Sequence, residues 1–288
     1  MMRLVVFGSG SPLFTRVADA LGLEHRLLAV VAPAARGPAW RRLLHRFRGV
    51  PARVARRHRA RLLEWSSGLD AQVRALHPDL LVIASFPHLL PEGLLSTAAL
   101  GALNVHTSLL PRHRGPDPIF WTYWNDDPEA GVSIHWAAPR FDTGDIVAQE
   151  AVTLDRGRAS TDLYLELAAR GASLACDSLR ALASGTAARI AQDHRSATYE
   201  SGADIARATV PYADWPAERV WHVLSGLGDR RRGLVSGPDG QRLAHGRALA
   251  FAPGVPGRAG QIEVSPAAYR LHCHDGWVDV ARLSEPRA

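Results

Sequence analysis

The chain begins with a pattern that few folds accommodate: short apolar runs, each followed by a stretch of helical periodicity. Residues 3–8 (RLVVFG), 25–31 and 80–84 (LLVIA) are such runs, and residues 14–21, 50–63 and 69–76 carry the intervening helical pattern. Runs that are apolar at nearly every position suit strands covered on both faces, the condition of a parallel sheet. Strands alternating with helices predict a doubly wound, mostly parallel, Rossmann-like α/β sheet. In such sheets ligands sit beyond the carboxyl ends of the strands. The residues just past each run are therefore where chemistry is to be sought.

The ends differ in content. Gly8-Ser9-Gly10 resembles part of a dinucleotide fingerprint. The third glycine is missing, no acid stands where a ribose needs one, and a tight β–α turn accounts for the glycines. The run ending Asn104-Val105-His106 offers more. Side chains alternate along a strand, so Asn104 and His106 share a face. Pro111 then takes the chain out of the ladder. Downstream, a Phe-Asp-Thr-Gly-Asp turn presents Asp142. Gly144 is expected to give that turn backbone freedom.

An amide, an imidazole and a carboxylate suit acyl transfer without a protein nucleophile. The amide N–H can donate to the oxyanion, at about 3 kcal/mol for one such donor. The imidazole can take the proton of an attacking amine, or stabilise the oxyanion when charged. The carboxylate can orient the imidazole and raise its pKa. The expected arrangement has a charged His106. Ser108 is placed poorly for nucleophilic attack with His106 as base; hydrogen bonding in the Ser108–Pro111 turn is its alternative role. His135, on the Gly131–Trp136 run, reads as structural or partly exposed.

The segments NVHTSLLPRHRG and GVSIHWAAPRFDTGDIVAQE resemble the formyltransferase family that uses 10-formyltetrahydrofolate. The resemblance is strongest over residues 75–160. It implies Asn104, His106 and Asp142 as catalytic residues. It implies a folate pocket with Phe86, Leu89 and Leu90 on one wall and Pro139, Arg140 and Phe141 on the other, and substrate contacts from Ser108, Arg112 and Arg114. The co-substrate implied is 10-formyltetrahydrofolate, with no metal. The activity implied is N-formylation of a primary amine on a specialised small-molecule or carrier-linked acceptor, including anionic and nucleotide-linked ones. Methionyl-tRNA formyltransferase and formyltetrahydrofolate hydrolase are the alternatives. A tRNA acceptor is less favoured because two acceptor-side stretches depart from the family pattern: ARGPAWRR at 35–42 and GLGDRRRG at 226–233.

Beyond residue 150 the pattern changes. Residues 160–184 read as an amphipathic helix capped by Ser160-Thr161-Asp162. Residues 189–213 read as a polar linker. Short strands with Gly/Pro turns come after Trp215-Pro216, as in a small Greek-key barrel. The organisation expected is a catalytic domain over 1–188, a linker over 189–210 and an OB-like β-barrel domain over 211–288.

Composition narrows the setting. No apolar run is long enough to span a membrane and the start lacks a secretory pattern, so the cytoplasm is expected. The net charge is +6 and there is no lysine. Ten arginines and no acid lie between Arg36 and Arg61, either a solvated helical face or a contact for an anionic acceptor. Cys176 and Cys273 are too few for a disulfide framework, and His272-Cys273-His274 lacks further ligands for a metal.

Overall fold

The structure is a computed structural model that describes residues 1–34, 37, 49–199, 201–255 and 257–283. It packs as two compact units interleaved along the chain. One comprises Met1–Gly115, Gly131–Val152 and Tyr164–Tyr199; the other comprises Pro116–Ala130, Thr153–Leu163 and Glu200–Ala288.

The first unit is built on a seven-stranded sheet. Its strands are β1 (Arg3–Gly8), β2 (Arg26–Ala32), β3 (Arg61–Glu64), β4 (Leu80–Ala84), β5 (Ala102–His106), β6 (Glu129–Trp136) and β7 (Ile146–Thr153), in the order β3-β2-β1-β4-β5-β6-β7. The pairs among β1 to β5 are parallel, whereas β5 and β6 are antiparallel. The mostly parallel, doubly wound sheet expected from the alternation is what forms. The strand order reverses direction at β1, whose Gly8 pairs with Ala84 of β4.

Both faces are covered, which is why the strand sequences lack a clean polar alternation. One face buries Leu4, Val6, Val82, Leu103, Val105 and Ile134 under α1 (Pro12–Glu24), α2 (Val50–Arg57) and the Ala168–Leu179 stretch of α6 (Ser160–Ser184). The other buries Val5, Phe7, Leu81 and Ile83 under α3 (Leu69–Arg74) and α4 (Glu92–Leu95). Ser11 caps α1, its hydroxyl accepting from the Phe14 N–H at 3.1 Å. Gly8 is required by packing, since a Cβ there would lie 1.9 Å from the Phe14 ring. The helix expected over 50–63 stops at Arg57. Arg59 takes φ 53, and Arg61–Glu64 then adds an edge strand beside β2. Four residues with a weak burial pattern carry too little periodicity to announce that strand.

In the second unit, β8 (His245–Pro253), β9 (Ile262–Val264), β10 (Ala268–His272) and β11 (Gly276–Arg282) form an antiparallel sheet in the order β8-β11-β10-β9. A turn through Asp275 joins the last two strands. Two stretches from within the catalytic half of the sequence belong here. In α5 (Pro118–Trp124) the fully buried Tyr123 donates its hydroxyl to the Arg158 carbonyl at 2.8 Å and stacks on His222 at 5.0 Å. His222 lies on α8 (Ala217–Leu227). Close by, a Cβ on Gly226 would stand 2.0 Å from the Tyr123 ring.

These packing units do not coincide with the contiguous division at 188 and 211. Residues 189–199 pack with the seven-stranded sheet, and the expected linker also contains α7 (Gly202–Arg207), closed by a Ser201–Asp204 capping box. The basic segment is described only in part; Arg36 and residues 38–48 lie outside the described residues. Among those described, Arg57 pairs with Asp19. Among the described residues no helix is long and apolar enough to cross a membrane.

Candidate active site

The β5–β6 register sets the site. Asn104 pairs with His135 and His106 with Ser133. Alternation puts Asn104, His106 and His135 on the face opposite Val105 and Ile134. The turn after β6 brings Asp142 onto the same groups.

Asp142 is the hub. Its Oδ1 accepts from Asn104 Nδ2 at 3.0 Å, and lies 3.4 Å from His135 Nε2 and 3.7 Å from His106 Nδ1. Its Oδ2 accepts from the Gly115 N–H at 2.8 Å. Burial alone would raise its pKa. Either imidazole when it carries a second proton, His106 above all, and the Gly115 N–H outweigh burial and hold the carboxyl well below its ordinary range. Asp142 is thus a buried, ionised carboxylate.

The hydrogen bonds fix the imidazole tautomers. His106 Nε2 faces the His113 carbonyl at 2.8 Å and must donate to it. Its second nitrogen, Nδ1, is turned to Asp142. His135 Nδ1 faces the Trp136 carbonyl at 2.8 Å and likewise donates. That leaves Nε2 to accept from Asn104 Nδ2 at 3.0 Å. Both N–H groups of Asn104 are therefore engaged, one by Asp142 and one by His135.

Burial works against the expected charge on His106. The Asp142 carboxylate does raise the His106 pKa, but desolvation is larger and the net direction is down. A neutral His106 with Nε2–H committed to a carbonyl carries its lone pair on Nδ1. That nitrogen is a base, backed by a carboxylate that would stabilise the proton once taken.

The backbone around these groups is unusual. Asp142, His113 and Ser85 are non-glycine residues with φ of 54, 57 and 54. Such left-handed residues cost free energy and persist where the surroundings over-determine them. Gly144 acts differently from the expectation. Its φ is unexceptional, but a Cβ there would lie 1.9 Å from the Trp136 carbonyl oxygen. The glycine is needed for close backbone approach.

The other expected site residues divide. Ser108 is buried, its hydroxyl donating to the Arg112 carbonyl at 2.8 Å and its carbonyl accepting from the Ser133 hydroxyl at 2.6 Å. Arg114 is buried too, with Nε and Nη2 donating to Gln192 Oε1 at 3.1 and 2.6 Å. Arg112 is exposed. Phe86 packs edge-on against Phe7 and Trp65, each at 5.4 Å. Leu90 is buried in the apolar cluster, while Leu89, Pro139, Arg140 and Phe141 are exposed. Cys273 is buried and His272 is engaged by Glu263 at 2.8 Å. Among the described residues no three or more His, Cys, Asp or Glu side chains gather as a metal site.

Two residues complete the site beyond those expected. His135 was placed on the right face by alternation, and only its pairing with Asn104 reveals its role. Gln192 has no motif to mark it. Its Nε2 donates to the carbonyls of Asp142 and Gly144 at 2.9 and 2.6 Å.

A family model described as formyl transferase matches residues 2–179. A methionyl-tRNA formyltransferase of Anaeromyxobacter sp. is 35% identical over 89% of this chain and 84% of its own length. One from Staphylococcus aureus is 32% identical over 78% of this chain and 73% of its own. Among solved structures, an N-formyltransferase from Helicobacter canadensis, in complex with folinic acid and dTDP-3-aminofucose, shares the fold over 98% of this chain and 99% of its own. Its TM-score is 0.72 at 15% identity. HypX from Aquifex aeolicus, in complex with tetrahydrofolic acid, covers 97% of this chain and 43% of its own, with a TM-score of 0.61 at 15% identity. The chain belongs to the formyl transferase family and is an enzyme of formyl-group transfer.

Proposed function

We propose that the protein transfers the formyl group of 10-formyltetrahydrofolate to a primary amine. The observation that carries this reading is the single buried carboxylate of Asp142 shared by Asn104, His106 and His135. The donor supplies an electrophilic formyl carbon. As the amine attacks, the C–N bond forms and negative charge gathers on the formyl oxygen. Asn104 stabilises that charge by exchanging one N–H from Asp142 or His135 to the oxygen. His106 Nδ1 takes the amine proton, directly or through water, and Asp142 stabilises the imidazolium. Collapse breaks the bond to the folate nitrogen, which leaves with the proton.

The folate wall proposed is Phe86, Leu89 and Leu90 facing Pro139, Arg140 and Phe141. Burial divides the labour among them: Leu89 and Phe141 have exposed surface to offer, at 38% and 40%, while Leu90 supports from within at 3%. Of the proposed substrate contacts, Arg112 reaches solvent, and Ser108 and Arg114 act by holding the turn in which Arg112 sits. The cytoplasm is the proposed compartment.

For the acceptor we propose a specialised small-molecule or carrier-linked amine, including nucleotide-linked ones. The departures at 35–42 and 226–233 support it, as does the fold shared with an enzyme solved with dTDP-3-aminofucose. The second reading is methionyl-tRNA, supported by relatives of that name aligned over 89% of the chain. Hydrolysis of the same folate would use the same groups with water as the acceptor. The deciding experiment incubates the protein with 10-formyltetrahydrofolate and, in turn, buffer alone, dTDP-linked amino sugars and methionyl-tRNA, following tetrahydrofolate release. Release only with an amine supports transfer, and the acceptor that saturates names the class. Equal release in buffer supports the hydrolase. No release and no folate binding would overturn the reading.

A further inference from the structure

The polar stretch after α6 is tied into the reaction centre at several points. Ile190 exchanges two backbone hydrogen bonds with Ile146, at 2.8 and 2.9 Å, just past the Asp142 turn. Arg189 pairs with Asp145 at 2.9 Å. Further on, the Thr198 carbonyl accepts from the Arg114 N–H at 3.0 Å and its hydroxyl from the His113 N–H at 2.8 Å. The stretch therefore staples together the two turns that hold the site: 113–115, which supplies the carbonyl on His106 and the N–H on Asp142, and 142–144.

Gln192 lies between these anchors and is 6% exposed. Its amide N–H groups reach the carbonyls of Asp142 and Gly144, and its oxygen receives the Arg114 guanidinium. One planar amide thus joins the two turns. We propose that Gln192 is a positioning residue: its side chain holds the left-handed Asp142 turn so that the carboxylate stands between Asn104 and the two imidazoles. The inference rests on reading Asp142 as part of the reaction centre.

The physical case is geometric. Asp142 carries a φ of 54, a left-handed conformation that an aspartate tolerates better than most residues but still at a cost that its neighbours must offset. The peptide carbonyls flanking the turn are the groups that would rotate if it relaxed, and Gln192 binds both sides of it. A displacement of about 1 Å in a reacting group can cost on the order of 100-fold in rate.

Two substitutions separate positioning from support of Arg114. Gln192→Glu keeps an acceptor for the guanidinium but has no N–H for the two carbonyls. Gln192→Met has similar length, adds no charge and removes both sets of bonds. Turnover in Gln192→Glu should fall by at least about 30-fold, with the donor KM within threefold of the wild type. If Gln192 served only to satisfy Arg114, Gln192→Glu would retain wild-type turnover. A second readout needs no acceptor. Histidine NMR titration of Gln192→Met should show the His106 pKa moved further down, in the direction produced by Asp142→Asn, because the carboxylate that raises it is no longer held beside it. A His106 titration unchanged in Gln192→Met overturns the inference even if the wild type transfers no formyl group to any amine tested. An active wild type with an unchanged Gln192→Glu overturns the inference and leaves the proposed function standing.

Discussion

Asn104 and His135 face each other across the antiparallel β5–β6 pair, with the amide nitrogen 3.0 Å from the imidazole Nε2. The amide of Asn104 is thereby spent twice, on His135 and on the Asp142 carboxylate. An oxyanion donor that is already engaged must be released when charge develops. The Asp142 carboxylate is the stronger of its two acceptors, so the bond to His135 is the one expected to exchange. Asn104→Ala should reduce turnover at least about 100-fold, the cost of losing one oxyanion donor, while folate binding by isothermal titration changes little. Near-normal turnover would remove Asn104 from the mechanism.

His106 is the base in this scheme, and burial holds its pKa below the ordinary value. The neutral form required is then the resting form at neutral pH. The acid limb of kcat/KM should lie below pH 6.5, and His106→Ala should cost at least about 100-fold. Asp142→Asn should shift the acid limb further down, because it removes a charge that raises the imidazole. Activity that instead falls as pH rises through the His106 pKa would mean that a charged His106 is the active form.

His222 predicts a pH effect on stability remote from the chemistry. Burial, reinforced by the charge of Arg156, lowers its pKa to about 4. Its Nδ1 accepts from the Gly157 N–H at 2.9 Å, which a protonated ring could not do. The unfolded chain takes up this proton first, near pH 6.5. Stability is therefore full above that value and falls as pH drops toward 4, by on the order of 3 kcal/mol. Urea melts of the wild type and His222→Gln should diverge across that window, with the variant showing the flatter profile; parallel profiles would count against the assignment.

Gly144→Ala tests the close approach of the Asp142 turn to β6. The added Cβ meets a backbone oxygen that cannot swing aside, so a stability loss of about 1–3 kcal/mol is expected. Turnover should fall as Asp142 is pushed from the imidazoles. A variant with wild-type stability and activity would show that the turn has slack.

The boundary proposed near residue 210 can be tested by shortening the chain. Without residues 209–288 the catalytic sheet should still form, since its core residues all precede that point. Tyr123 would lose its stacking partner His222. Limited proteolysis should then cut within 116–130 in the shortened chain and spare it in the full one. A fragment that shows no folded sheet by circular dichroism would move the boundary.

Much of this was legible from residue order. The apolar runs at 3–8 and 80–84 announced buried strands because nearly every position is covered, and residues 160–184 announced a helix through spacing alone. Asn104, His106 and Asp142 could be singled out together because three unlike polar groups stand in a recognised order, and the structure brings them together. The depth at which His106 is buried was not legible. A sequence shows that a carboxylate is near, but the competing desolvation depends on how deeply the ring is covered. Gln192 was hidden for a related reason. Its partners are backbone carbonyls, which every residue possesses, so no pairing of side-chain types marks it. The β3 strand was hidden by brevity.

The reversed direction of β6 has a bearing on how such a site tolerates change. A parallel strand would deliver its histidine from a free end, where any alteration of the adjoining connection shifts it. Here His135 is carried within the ladder, clamped to β5 on one side and flanked by β7 on the other. The connection from Ala137 to Phe141 can therefore be lengthened or recomposed for a different pocket without moving the imidazole, while the aspartate at its far end takes its alignment from other parts of the unit.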